Sequence, residues 1–186
     1  MRKIKTIFDR DWKGNRSVID KYIEDKFLLR ETKSVATEKL DGTNIRLTIR
    51  NHQVVRVEKR CNPSKIQKHQ DIIEPWYIDV DEFNPQDKYI VEAVKSRTYE
   101  KINDGEWSGE AIGKKIQGNP LNLDGHTVCL FSCDEAPKFD NVPTDYEGLK
   151  KWLPEQESKF GTGKIEGIVW HCKDGNMYKI KTKDFK

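Results

Sequence analysis

Apolar and polar residues alternate most cleanly over 45–49, where Ile45, Leu47 and Ile49 are separated by Arg46 and Thr48. Period two marks a strand with one buried face. Asn51-His52 reads as a turn, and Val54 to Val57 as the returning strand. Residues 34–38 predict a short strand running into Lys39, so that lysine stands at the mouth of a sheet. Lys88 to Val94 is also strand-like, and Val128 to Ser132 is a continuous apolar run that fits a buried strand. Three stretches predict helix. Ser17 is set as an N-cap with Val18, Ile19, Tyr22, Ile23 and Phe27 along one side. Residues 64–74 form the second. Thr144-Asp145-Tyr146-Glu147, just after Pro143, has the form of a capping box and opens the third, which runs through Leu153. Between them, Asp104 to Asp124 is Gly-rich and reads as irregular. No repeat, low-complexity tract or linker interrupts the 186 residues. The expectation is one domain over 1–186, of α+β class, with antiparallel sheets flanked by helices.

Lys164 to His171 and Met177 to Thr182 predict a hairpin about Asp174-Gly175. With those two residues as the loop, Lys173 pairs with Asn176. Trp170 then stands opposite Lys179, Ile168 opposite Lys181, and Glu166 opposite Lys183. Opposed residues share a face, as do residues two apart. Glu166, Lys179, Lys181 and Lys183 would project together, with Ile168 and Trp170 among them; an odd loop breaks this pairing. One acid and three lysines on a face suit a solvated surface, or a site holding a polyanion and a divalent cation.

Composition narrows the classes. Charged residues make up 35% of the chain, yet the net charge is only +3, so this is no polycation that coats nucleic acid. Five Trp, six Tyr and seven Phe oppose disorder. Cys61, Cys129, Cys133 and Cys172 contain no CxxC pair, which disfavours zinc and fits reduced thiols in a cytosol. No window approaches the roughly 18 apolar residues of a membrane span, and no apolar leader follows Met1. A cytoplasmic protein with no membrane partner is expected.

The candidate chemistry centres on Lys39-Leu40-Asp41-Gly42-Thr43-Asn44. An amine attacks phosphorus only when neutral, and an ordinary lysine titrates near about 10.4. Nearby cations, a metal ion or partial burial favour the neutral form. Gly42 would let the backbone approach a phosphate with no Cβ in the way. Alone, such a run is more often just a surface turn. The role of Asp9 to Arg16, a charged loop bearing Trp12, is not evident from its residues.

Taken in order along the chain, these motifs resemble the covalent nucleotidyltransferase superfamily of ATP-dependent ligases and mRNA capping enzymes. Glu38-Lys39-Leu40-Asp41-Gly42-Thr43-Asn44 is similar to its first motif, Gly109-Glu110-Ala111-Ile112-Gly113 with Ile116-Gln117-Gly118-Asn119-Pro120 to its third, Glu166-Gly167-Ile168-Val169 to its fourth, and Lys179-Ile180-Lys181 to its fifth. Arg60 sits where these proteins carry an arginine, and Phe131 where an aromatic ring stacks on adenine. Asn44 and the Gln-Gly-Asn-Pro run point to the RNA-ligase branch of RNA-editing and RNA-repair enzymes. DNA ligase and capping guanylyltransferase are the alternatives, and a nucleotide- or RNA-binding module that has lost sealing is the non-enzymatic one.

The resemblance implies an ATP-grasp-like fold around a nucleotide pocket and a ligase of RNA 5′-phosphate and 3′-hydroxyl ends, nicked duplexes among them. Lys39 would become lysyl-AMP from ATP. Glu38 and the backbone of Leu40 would border the adenine. Asn44 and Arg60 would hold phosphate or ribose, and Glu110 would accept from a ribose hydroxyl. Glu166 would bind Mg²⁺ or Mn²⁺, and Lys179 and Lys181 would neutralise the α-phosphate. These proteins usually continue past the fifth motif, whereas here only Thr182 to Lys186 follow. The expectation is a catalytic domain with no C-terminal second domain, and a partner protein that supplies RNA binding.

Overall fold

The computed structural model describes residues 3–24, 34–131 and 135–186. By its contacts the chain divides into two compact units. One is the inserted unit, Asp41–Glu135 with Met1–Lys3; the other is the terminal unit, Ile4–Leu40 with Ala136–Lys186.

The inserted unit is an antiparallel five-stranded sheet. The described strands before it in the chain are β1 (Lys5–Thr6), β2 (Phe8–Arg10), β3 (Val18–Tyr22) and β4 (Val35–Glu38). The sheet itself contains β5 (Thr43–Arg50), β6 (Gln53–Cys61), β7 (Trp76–Asp79), β8 (Gly105–Gly113) and β9 (His126–Leu130), in the order β7-β6-β5-β8-β9. Asn51 and His52 both have positive φ (49° and 61°), which makes the tight turn between β5 and β6. One sheet face holds Ile45, Leu47, Ile49, Ala111, Val128 and Leu130, all buried. Helix α1 (Lys65–His69) is a short capped turn opened by Ser64 and carries no buried residue.

Helix α2 (Lys88–Lys95) closes the core of this unit with Ile90, Ala93 and Val94. Spacings of three and four residues put these on one helical face. The strand-like reading of Lys88 to Val94 is therefore corrected: apolar spacing of 3.6 outweighs the β preference of Tyr, Ile and Val. The irregular reading of 104–124 is corrected too. Its first half is the nine-residue β8, hydrogen-bonded on both sides, whose glycines masked it.

The terminal unit has a five-stranded sheet in the order β1-β12-β11-β4-β10. It is completed by β10 (Lys138–Phe139), β11 (Gly167–His171) and β12 (Met177–Lys181); among the described strands only β1 and β12 run parallel. Helix α3 (Tyr146–Trp152) is capped by the Asp145 side chain on Gly148 N at 2.8 Å, one residue beyond the expected Thr144. The predicted helix from Ser17 is instead β3, an antiparallel partner of β2. Ser17 is turned by Asn15, whose Oδ1 accepts from its amide and hydroxyl at 2.9 and 2.7 Å. Ile19 and Ile23 are exposed, while Tyr22 packs on Phe8 with ring centroids 5.0 Å apart. Phe27 lies outside the described residues. The core joins Phe8, Val18, Ala36, Leu149, Leu153, Ile168, Trp170, Tyr178 and Ile180.

The closing hairpin departs from its expected register. Cys172 N donates to Asn176 O, so the loop is the three residues Lys173–Gly175, with Gly175 at φ +83°. Trp170 pairs with Tyr178, Ile168 with Ile180 and Gly167 with Lys181. This odd loop flips the faces: Ile168 and Trp170 join Tyr178 and Ile180 in the core, while Lys179 and Lys181 project to the opposite side. Lys183 falls in a 3-10 turn, Thr182–Phe185, and not in the ladder.

Candidate active site

In the terminal unit the site is a lateral row across three strands. Glu38 pairs with Ile168, and one step on, Lys39 N donates to Gly167 O at 2.9 Å; Gly167 in turn pairs with Lys181. Lys39, Gly167 and Lys181 thus stand side by side on one face. Gly167 leaves a lane between the two lysines. A Cβ there would lie 2.0 Å from Ile180 O and 2.8 Å from Lys181 Cα, so the sheet itself demands glycine. Glu166, just before β11, fills the lane. Lys39 Nζ donates to its Oε2 at 2.5 Å, and Lys181 Nζ donates to its Oε1. Its side chain is only 9% exposed. Burial pushes this carboxyl up, but the ammonium charge of Lys39 and the bonds from Lys181 and Lys39 outweigh it, and Glu166 sits below the ordinary range.

The next row on that face is Thr37, Val169 and Lys179. Thr37 Oγ1 lies 3.0 Å from Nε2 of His171, a residue two further along β11 on the same side. Glu38 points the other way, as alternation requires. It is buried, and its oxygens accept from Ser158 Oγ at 2.6 Å and Lys159 N at 3.0 Å. Burial pushes its carboxyl up against those two bonds. Leu40 is buried as well.

In the inserted unit the polar sheet face carries the remaining candidates. Tyr77 pairs with Arg60, and Asn44 with Glu110, which pairs with Cys129. The β5–β6 register, Ile45 to Lys59, continues to set Asn44 opposite Arg60. Arg60, Asn44 and Glu110 are thereby aligned on adjacent strands. Phe131, half-buried and one residue past β9, continues the next row beyond Ser108. Asn44 is tied by Tyr77 Oη to its Oδ1 at 2.8 Å and donates to Gly109 O at 3.3 Å. Arg60 Nε is buried with no hydrogen-bond partner among the described residues. Gly42 serves packing: a Cβ there would lie 2.2 Å from Ala111 O.

Inspection of the sequence missed the pair beneath this row. Arg46 grips Glu58 through two bonds of 2.7 Å, and its guanidinium stacks 4.6 Å over the Tyr77 ring. Arg46 holds the buried Glu58 carboxyl below its usual range. The signal was available: a tight turn at Asn51-His52 sets Arg46 opposite Glu58 once the bulge after Thr48 is allowed for. Among the described residues no cluster of three His, Cys, Asp or Glu could cage a metal ion, and no helix is long and apolar enough to cross a membrane.

Known proteins bear on this geometry. The family model for RNA ligase 1 matches residues 91–185. RNA ligase 1 of Danio rerio is 34% identical over 74 residues, and that of Mus musculus 36%; these alignments take in 38% of this chain and 22% and 21% of the relatives. The chain therefore spans about a fifth of the length of the curated relatives it matches. Solved Naegleria gruberi RNA ligase structures share the fold. A mutant apo form superposes with a TM-score of 0.51 at 16% identity, covering 100% of this chain and 62% of that one. A mutant with AMP and Mn gives 0.52 at 16%, covering 98% and 57%. At such identity the likeness speaks for fold alone. With the family model matched over half its length, the chain belongs to the RNA ligase 1 family.

Proposed function

We propose that this chain is a cytoplasmic, ATP-dependent RNA ligase domain that joins 5′-phosphate to 3′-hydroxyl ends through lysyl-AMP on Lys39. One observation carries the reading: two amines, Lys39 and Lys181, bracket one buried carboxylate in the lane that Gly167 leaves between them. The Lys39 ammonium first gives its proton to solvent, to which its side chain is partly exposed. Its nitrogen then bonds to the α-phosphorus as the bond to the pyrophosphate oxygen breaks, and pyrophosphate leaves. An RNA 5′-phosphate oxygen next takes AMP from the lysine, and a 3′-hydroxyl finally displaces AMP. Each is a displacement at phosphorus in which the protein positions groups and stabilises charge.

Lys181 and Lys179 neutralise the α-phosphate oxygens as charge builds. Among the described residues Glu166 belongs to no cluster that could cage a metal, which suits Mg²⁺ or Mn²⁺ arriving on the phosphates of ATP. Glu166 would hold such an ion, which would supply positive charge beside the phosphates and leave Lys39 free to approach the phosphorus. To the other candidates we assign nucleoside recognition. Glu110 accepts from a ribose hydroxyl, Phe131 stacks on adenine, and Asn44 and Arg60 hold phosphate or ribose. The orphaned Nε of Arg60 supports this, because a buried donor without an acceptor costs about 1–3 kcal/mol. Glu38 and the backbone of Leu40 border the base. RNA ends are the substrate, with a partner protein adding RNA contacts.

The test is retention of label. Incubation with α-labelled ATP and Mg²⁺, then denaturation, should leave label on the wild-type protein and none on Lys39→Ala. An unlabelled wild type refutes the enzymatic reading.

A further inference from the structure

The hairpin of β2 and β3 has no part in the chemistry above, yet it is built with unusual care. Its tip is the turn Asp11–Gly14. Asp11 Oδ1 accepts from Gly14 N at 2.8 Å and Lys13 N at 3.2 Å, and Asp11 exchanges backbone bonds with Arg16 and Ser17 at 3.0 Å. Arg10 donates to Arg16 O at 2.8 Å across the base. Below, Phe8 meets Tyr22, Tyr146 and Phe185 edge-on or tilted, at centroid distances of 5.0–6.5 Å.

This rigid frame presents Trp12 with 70% of its surface exposed. The indole is not loose. Its Nε1 donates to Asp9 Oδ1 at 3.2 Å, which fixes one edge and leaves the ring in solvent. Asp11 of the tip is thus bonded within the turn, and Asp9 of β2 is shared by the indole, Arg10 N and Lys21, whose ammonium lies 3.6 Å away. Lys13 and Arg16 are exposed, and neither side chain has a partner among the described residues. A fixed, exposed indole on a loop that also carries two exposed cations is the pattern that stacks a base while neutralising its phosphates. A protein partner would call for a broader apolar patch, whereas charged residues surround this ring.

The hairpin is also wired to the catalytic strand. Arg10 Nη2 bonds Asp184 Oδ1 at 2.6 Å, and the other oxygen of that buried carboxylate accepts from Lys181 N at 2.9 Å. Two hydrogen bonds therefore separate the base of the Trp12 loop from the backbone of a phosphate-binding lysine.

We propose that Trp12, with Lys13 and Arg16, is a stacking platform for an unpaired nucleotide of the RNA substrate. The proposal rests on the ligase reading, and the experiment keeps the two apart. A short single-stranded RNA, 5′-phosphorylated and labelled at its 3′ end, is titrated with the whole chain and followed by fluorescence anisotropy. Label uptake from α-labelled ATP is measured in parallel. Trp12→Ala should weaken RNA binding about tenfold, the scale of one base–aromatic stack. Trp12→Phe should keep most of it, and both variants should take label from ATP like the wild type. Lys13→Ala with Arg16→Ala should make the salt dependence shallower, by a slope of about 1.4. If Trp12→Ala binds RNA as the wild type does, or if the labelled wild type binds no single strand, the platform is wrong. If the wild type takes no label, the ligase reading has failed instead.

Discussion

At the scale of the residue, two carboxylates in neighbouring strands have opposite fates. Glu38 looks into the core and is pushed up by burial, whereas Glu166 lies between two ammonium groups and is held down. For Glu166 the folded titration lies below the unfolded one. Its contribution to stability is therefore complete above the unfolded value of 4.5 and drains away as pH falls through the folded value. The melting temperatures of wild type and Glu166→Gln should differ most at neutral pH and converge in acid; a gap that widens in acid refutes this. Gly167 carries the other residue-scale expectation. Gly167→Ala drives a methyl into backbone atoms that cannot swing aside, and should cost about 3 kcal/mol in denaturant unfolding. An unchanged midpoint would show that the lane is not forced by the sheet.

At the scale of the element, legibility followed the source of each signal. β5 was plain because one face is core and the other polar, so its alternation is written in the chain itself. The row Lys39–Gly167–Lys181 was half legible. The motifs named its members, but the register depended on a three-residue loop that a strong two-residue turn signal concealed. Glu58 was invisible as a partner of Arg46 because a bulge after Thr48 shifts the count by one. β8 was hidden by glycines, and α2 by β-branched residues. For α2 the helix makes a distinct claim. Ala93→Leu should overpack the core at a cost of about 1–3 kcal/mol, while Glu92→Ala, half-exposed on the other side, should cost little. A strand would reverse that order, since it would align Glu92 with Ile90 and Val94.

At the scale of the whole molecule, the two units differ in how the chain builds them. The inserted unit is nearly continuous, and its five strands, α2 and apolar core all fall within 41–135. Expressed alone, 41–135 should show a cooperative thermal transition by circular dichroism. Residues 136–186 alone should not, because β12 and β11 lack β1 and β4 as neighbours. A non-cooperative 41–135 would mean that its core needs the rest of the chain. The same discontinuity has a consequence for synthesis. Lys39 leaves the ribosome more than a hundred codons ahead of the carboxylate and second amine that frame it. On the role proposed for Lys39, a chain stopped between these positions carries the amine without the carboxylate and second amine that frame it.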